Sequence, residues 1–457
     1  MLQRIERDGV TGEYEPAYAI GSGTHAVGYL IELRDHLFQS PLTYYAGRGW
    51  DMAPGYEGNR APDFYRPINP PCLFCHSGEA RPVPQTINTY RTPPFEAEVI
   101  TCERCHGAVE AHLHAPLPGS IINPAKLPPR ARDSVCEQCH LSGEAQIPNP
   151  GKQIIDFRPG EDLEEVYTVY VSAGSLDPAS PDRLRVISQS QQLALSTCAR
   201  RSQGKLWCGT CHDPHQQPAD PKTYFRDRCL SCHGTALLST HPKPNDDCIG
   251  CHMPRRPVTD GGHTVFTDHH IARRPPPDTG TTSTETPRAL VAWHDPPAVL
   301  AQRNLGLAEL QVGEKVESST LVMAGFQLLL RCWSQFPNDP PVLTGIGEVL
   351  ISTGQDEHAR DAIAVFERAI QVEPQVAWNY FHAGLACSAA HDSKKAAQYL
   401  EESLQLDPLL EQAYPALAAA YQDSHDTAKQ RQTYERYLQA FPQNIQAQLD
   451  ARELAGH

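Results

Sequence analysis

Residues 207–215 read WCGTCHDPH, with two thiols and two imidazoles in nine positions. Such a set could serve a dithiol redox couple, half of a zinc site or a haem anchor. Repetition separates these readings. The frame C-x-x-C-H occurs six times and takes twelve of the fifteen cysteines. Its copies are Cys72, Cys75 and His76; Cys102, Cys105 and His106; Cys136, Cys139 and His140; Cys208, Cys211 and His212; Cys229, Cys232 and His233; and Cys248, Cys251 and His252. Two thiols three residues apart lie about one helical turn apart, which suits thioether bonds to the two vinyl groups of one porphyrin. The adjacent histidine then gives the iron its proximal imidazole. A zinc ribbon has no reason to place His beside the second Cys every time, and a thioredoxin-like dithiol needs one motif in a βαβ setting. The frame therefore predicts six covalently bound haem c groups, with these twelve cysteines as anchors and six histidines as axial ligands.

Each such iron needs a sixth ligand. Within residues 1–272 the methionines beyond the first residue are Met52 and Met253, and Met253 directly follows His252, badly placed to cap its own haem. Nine histidines in that region lie outside the motifs, so mostly bis-His ligation and low reduction potentials are expected. His215 is three residues from His212, too near to reach over the same ring, and is expected to cap a neighbouring one. His112 stands similarly to the second motif, with His114 as its alternate; His241 lies between the fifth and sixth motifs; His263 follows the last, with His269 or His270 behind it. His25 sits in a Gly-flanked turn. His25, His112, His215, His241, His263 and His269 form the distal ligand set. His36, in ELRDHLFQS, reads as an exposed hairpin residue, and Cys198 as a buried thiol without a partner. Arg104, Arg200, Arg201, Arg255 and Arg256 could face haem propionates, a solvated role being equally natural for each.

The chain that must position these groups has 457 residues, enough for two or three cores. Its net charge of −15 argues against a nucleic-acid partner, because phosphate recognition needs clustered Lys and Arg. No apolar run approaches the roughly 18 residues a membrane-spanning helix needs. Residues 1–272 hold every C-x-x-C-H and read as a multihaem cytochrome c domain, irregular, of mostly short helices with a few strands. Such a region can fold compactly because porphyrin faces supply apolar surface. Residues 273–298 read as a Pro-rich linker. From 299 to 457 the texture is helical, and Pro374, Pro408 and Pro442 recur every 34 residues, closing AIQVEP, SLQLDP and YLQAFP. That is the tetratricopeptide (TPR) period, and Trp378, Leu385 and Ala396 fall at its offsets, as do Leu417, Tyr421 and Ala428 one repeat later. About four repeats and a capping helix, an all-α TPR solenoid, are expected. Residues 271–457 carry 23 acidic against 14 basic residues, which favours a basic partner.

The phrases CLFCHSGEARP, CERCHGAVEAH, CEQCHLSGEA, LWCGTCHDPHQQP, CLSCH and CIGCHMPRRPVTDGGHTVFTDHHIARRP, followed by TPRs, resemble a bacterial family of multihaem c-type cytochromes with C-terminal tetratricopeptide repeats. That family is similar to the doubled C-x-x-C-H cytochromes and, more distantly, to the hydroxylamine-oxidoreductase and nitrite-reductase group. The resemblance implies an extracytoplasmic electron-transfer protein, in the periplasm or at the cell surface, with His112, His215, His241 and His263 at positions that tend to be distal ligands. Members usually begin with a signal peptide and a further C-x-x-C-H. MLQRIERDGVTGEYEP has no apolar h-region, so the reading frame is expected to continue upstream into such a segment, with one more haem.

Three function classes follow from these residues. The first is an electron carrier whose TPR array docks a redox partner protein. The second is a multihaem reductase or oxidase acting on a small nitrogen or sulfur species, which needs an iron with an open position and acid–base groups beside it. The third is a structural module wired by its haems. Nine spare histidines for six irons leave no shortage that forces an open position, so the carrier is the expected class and no catalytic residue is assigned.

Overall fold

The computed structural model describes residues 1–59, 62–177, 184–241, 247–273 and 289–455. The chain divides into two compact units, Met1–Val99 with Gln302–His457, and Ile100–Ala301.

Residues 1–99 are mainly β-structure, more so than the sequence led us to expect. Strands β1 (Gln3–Arg7) and β2 (Val10–Tyr14) form a hairpin through Asp8 and Gly9, whose φ angles of 52° and 74° are those of a two-residue Asp-Gly turn. An antiparallel sheet follows in the order β7 (Gly49–Met52), β6 (Leu42–Tyr45), β4 (Ala26–Leu33), β5 (His36–Gln39), β8 (Arg66–Pro67), with β3 (Tyr18–Ile20) also on β4. Helix α1 (Pro70–His76) opens with two prolines in its first turn, where the missing N–H groups cost nothing, and buries Leu73. Leu73 joins Leu30, Leu37, Ile68 and Tyr90 in a core closed by the hairpin β9 (Glu79–Pro82) and β10 (Tyr90–Ala97).

The second unit carries helices α2 (Glu103–His106), α3 (Glu110–His114), α4 (Pro129–His140), α5 (Gln189–Leu195), α6 (Thr197–Arg201), α7 (Cys208–Cys211), α8 (Pro221–His233), α9 (Ala236–Thr240) and α10 (Cys248–His252). Its largest sheet is β11 (Ala145–Pro148), β12 (Tyr167–Ser172) and β15 (Leu290–Ala292); β13 (Arg255–Pro257) and β14 (Val265–Thr267) form a hairpin. Strand β15 corrects the linker reading in part. Leu290–Ala292 pair with Tyr170–Ser172, and Trp293 N donates to Val169 O at 2.8 Å, so this stretch completes a sheet. Residues 274–288 of the expected linker lie outside the described residues.

The array is made of helix hairpins: α11 (Ala301–Lys315) with α12 (Ser319–Cys332), α13 (Pro340–Ser352) with α14 (Asp356–Val372), α15 (Ala377–Ala389) with α16 (Ser393–Leu406), and α17 (Ala413–Asp423) with α18 (Thr427–Ala440). A last helix, α19 (Ile445–Ala455), follows. The recurring Pro374, Pro408 and Pro442 stand between hairpins, where a helix must stop. Asp339, Asp392 and Asp426 each cap a helix through the side chain. Small residues let the helices approach: Ala362, Ala383 and Ala386 are fully buried around Phe366, and a Cβ at Gly347 would run into the Phe366 ring. The chain thus contains an all-α, TPR-like solenoid.

The array does not form its core alone. Tyr14, Ile31, Phe38, Phe64 and Tyr65 of the first 99 residues share one hydrophobic cluster with Leu409, Leu410, Tyr414, Tyr437 and Phe441. The Tyr14 hydroxyl donates to Gln443 O at 2.7 Å, and Tyr65 and Phe441 meet edge to face at 4.8 Å between ring centres. A cytochrome region of residues 1–272 set apart from an array at 299–457 is therefore not how these cores divide. His36 is also corrected. It is only 5% exposed, its Nδ1 lies 2.8 Å from Asp35 Oδ1, and its Nε2 lies 3.1 Å from both Asp407 Oδ1 and Thr89 Oγ1. It clamps the β4–β5 hairpin to the end of α16. Burial works against the imidazolium, but the bonds and charges of Asp407 and Asp35 outweigh it and raise the His36 pKa.

Candidate functional site

Each C-x-x-C pair spans one turn, on α1, α4, α7, α8 and α10 and, for the second motif, from Cys102 at the N-cap of α2 into that helix, so its two thiols lie one turn apart. The motif histidine is the last helical residue in five of these helices, and in the fourth motif His212 takes extended φ and ψ just after α7. Motifs two and three are tied through their variable residues, since Gln138 Nε2 donates to Arg104 O at 3.0 Å. Glu137, also inside the third motif, accepts from Arg130 Nη1 at 2.6 Å and from Trp293 Nε1 at 2.9 Å. Burial opposes ionisation of Glu137, yet the bonds and charges of His294 and Arg130 hold its pKa below the usual value. The thiols of different motifs also converge. Cys136 lies beside Cys208 with Cys105 nearby, and Cys229 lies beside Cys248 near Cys211 and Cys198. Cys198 is therefore half-exposed beside other thiols, not a buried thiol on its own.

Six of the histidines fall into three pairs. His106 and His215 have ring centres 5.9 Å apart with planes 21° from parallel, and His212 and His269 are 6.1 Å apart at 29°. His241 and His252 are 6.0 Å apart at 89°. Every pair joins one motif histidine to one from outside the motifs. Two imidazoles on opposite sides of one metal ion, each nitrogen about 2 Å from it, have ring centres about 6 Å apart. The main chain also orients several of these rings. Nδ1 of His106 lies 2.7 Å from Ile122 O, that of His252 2.8 Å from Ala272 O, and that of His269 3.0 Å from Thr267 O. A carbonyl only accepts, so Nδ1 must carry the proton and Nε2 is left with the lone pair that binds metal. His215 Nδ1 is 3.2 Å from Asp213 Oδ1.

The other sequence-derived candidates stand elsewhere. His112 is turned to Ser120, with Nδ1 2.8 Å from Oγ. His263 is exposed in the turn between β13 and β14, and His25 lies in the turn before β4. His140 is 3.4 Å from Gln189 Oε1 and adds to the positive field at His212 and His269, whose pKa values are lowered chiefly by burial. His76 and His233 end α1 and α8. Of the propionate candidates, Arg256 is taken by Asp268 at 2.9 Å. The carbonyls of Ile122, Thr267 and Ala272 were invisible to sequence reading, because a main-chain acceptor has no residue signature. Among the described residues no three His, Cys, Asp or Glu side chains converge on a point that could hold an ion, and no helix is long and apolar enough to cross a membrane.

No protein-family model matches the chain, and no curated protein does. Solved structures similar to it in part include the crystal structure of MamA, at 19% identity and TM-score 0.28, covering 31% of this chain and 81% of that one. A thermophilic TPR protein of Thermus thermophilus, TTC0263, is 16% identical at TM-score 0.29, covering 33% and 81%. The first TPR of Spaghetti (RPAP3), bound to an HSP90 peptide, is 19% identical at TM-score 0.23, covering 26% and 90%.

Proposed function

We propose that the protein transfers electrons through six covalently attached c-type haems, mostly with two histidine ligands each, and docks a redox partner protein through its helical array. The observation that carries this reading is the three histidine pairs, each a motif and a non-motif imidazole about 6 Å apart. The residues suit the group in two further respects. A porphyrin supplies four nitrogens itself, so two imidazoles suffice and a convergence of three side chains is not needed. The helices that carry motifs two, four, five and six contain no buried residue, although α8 bears Tyr224, Phe225 and Leu230, so a large apolar partner is needed to pack on them.

When bound, haem supplies a reversible one-electron iron couple. The chain's own part is to hold and tune it. Paired cysteines fix each ring, carbonyl-tethered imidazoles present Nε2, and neighbouring motifs are held together by Gln138, Arg104 and the thiol clusters. His106 with His215, His212 with His269, and His252 with His241 would ligate the second, fourth and sixth haems. His76, His140 and His233 would be proximal ligands of the others, with His25, His112 and His263 as candidates to cap them. Because thioether attachment takes place outside the bacterial cytoplasm, this reading makes the protein extracytoplasmic.

A haemochrome assay should give six haems per chain, and four or fewer in a fully matured sample would sink the proposal. His215→Ala, His269→Ala and His241→Ala should each turn one haem high-spin in the oxidised protein while leaving the covalent count at six. Unchanged spin state in all three would show that the pairs are not ligands.

A further inference from the structure

The array carries a second cluster of chemistry far in sequence from the C-x-x-C-H motifs. First helices of successive hairpins touch one another, α13 with α15 and α15 with α17, and so form the inner layer of the solenoid. Glu348 on α13 lies there, its charge felt by Glu314 of α11, with its Oε1 3.3 Å from Nε2 of His382 on α15. About a third of the Glu348 side chain is open to solvent. Neither carboxylate has a Lys or Arg partner among the described residues.

His382 is 7% exposed, and its Nε2, although close to Glu348, makes no hydrogen bond. Its ring is enclosed by Phe366, stacked at 5.2 Å, and by Trp378 and Phe381, edge-on at 5.2 and 5.4 Å. Burial keeps this imidazole neutral, with its pKa lowered to about 4, so it does not neutralise the carboxylates. Burial and the neighbouring Glu314 push the Glu348 pKa up to about 7, the mark of a carboxylate that lacks a cation. Two unpaired carboxylates, an unbonded imidazole nitrogen and a half-exposed tryptophan are the parts from which proteins build a seat for an ammonium or guanidinium group.

We propose that this inner face, at Glu314, Glu348 and His382, seats a Lys or Arg side chain presented by a partner protein. The site deepens the docking role given to the array above and rests on that role, but it makes no use of haem. Charge complementarity argues for this occupant, in a chain whose residues 271–457 carry 23 acidic against 14 basic residues.

The test is fluorescence anisotropy on the full-length holoprotein, with a labelled ten-residue peptide holding one arginine among alanine and leucine, and its counterpart with citrulline in place of arginine. The arginine peptide should bind at least tenfold more tightly. Glu314→Gln with Glu348→Gln should erase that preference, and Glu348→Lys, which fills the seat internally, should abolish binding of the arginine peptide. Haem content and melting temperature should not change in either variant. Equal binding of the two peptides by the wild type, binding of neither, or a preference that survives in the double variant would overturn the proposal. A wild-type protein without haem would strike the electron-transfer reading and leave this site standing.

Discussion

The helices of the array and those that carry most of the C-x-x-C-H motifs are built on opposite terms. In the array, every helix from α11 to α18 buries a stripe of its own residues, as α14 does with Ala359, Ala362, Val365, Phe366 and Ala369. In the second unit, α2, α3 and α6 to α10 bury none. An isolated helix of 4 to 13 residues is marginal in water, because nucleation costs more than a few hydrogen bonds return. The array is thus specified by side chain against side chain. The motif helices are specified by caps, prolines, imidazole tethers and whatever their cysteines hold.

Replacing all twelve motif cysteines with serine should give the largest separation of the two regions. Residues 197–252 should become rapidly protease-sensitive while the array keeps its helical circular dichroism and its resistance. If both regions unfold together, the array is not self-specified and the comparison fails.

Deleting residues 302–457 probes the other side. The sequence boundary near residue 299 implied that a truncated chain would keep every haem. The shared core reverses that expectation for the first motif, because Phe38 and Phe64, each 2% exposed or less, and Tyr65 lose their partners. Exposing such aromatics costs about 1.5–3 kcal/mol each. On the proposed six-haem reading, one haem should be lost and five retained, as counted by haemochrome assay and mass. A milder cut at the same seam, Phe441→Ala, should lower stability by about 3–5 kcal/mol and leave the haem count of the wild type unchanged.

The smallest effect concerns His36. Its folded pKa is raised, so its contribution is complete below the unfolded value, about 6.5, and fades as pH rises through the folded value. Unfolding of the first unit should therefore be harder at pH 6 than at pH 8, and His36→Gln should flatten that slope. A slope that survives in the variant would point to another group.

Local signals were legible in the sequence and long-range ones were not. Pro374, Pro408 and Pro442 marked hairpin boundaries because a period of 34 residues is a local property. The motif frame likewise announced its own helical turn. The junction of Phe38 and Tyr65 with Phe441 left no trace, since contacts nearly 400 residues apart impose no spacing. His36 was misread because Arg34 and Asp35 beside it do form an exposed turn, with Arg34 at φ 57°, yet the next residue of the pleat points inward. At the histidine pairs, composition supplied the candidates, but which motif histidine each one faces depended on the fold.

The seat of the β-sheet on the array also has a consequence in time. Tyr14 and the Gln443 carbonyl that accepts its hydroxyl are 429 residues apart. At a ribosomal pace of about 5–20 residues per second, Gln443 emerges roughly 20–90 seconds after Tyr14. Phe38, Phe64 and Tyr65 must wait through that interval without the array side chains that cover them. Circular permutation that places residues 302–457 ahead of Met1 would shorten that period.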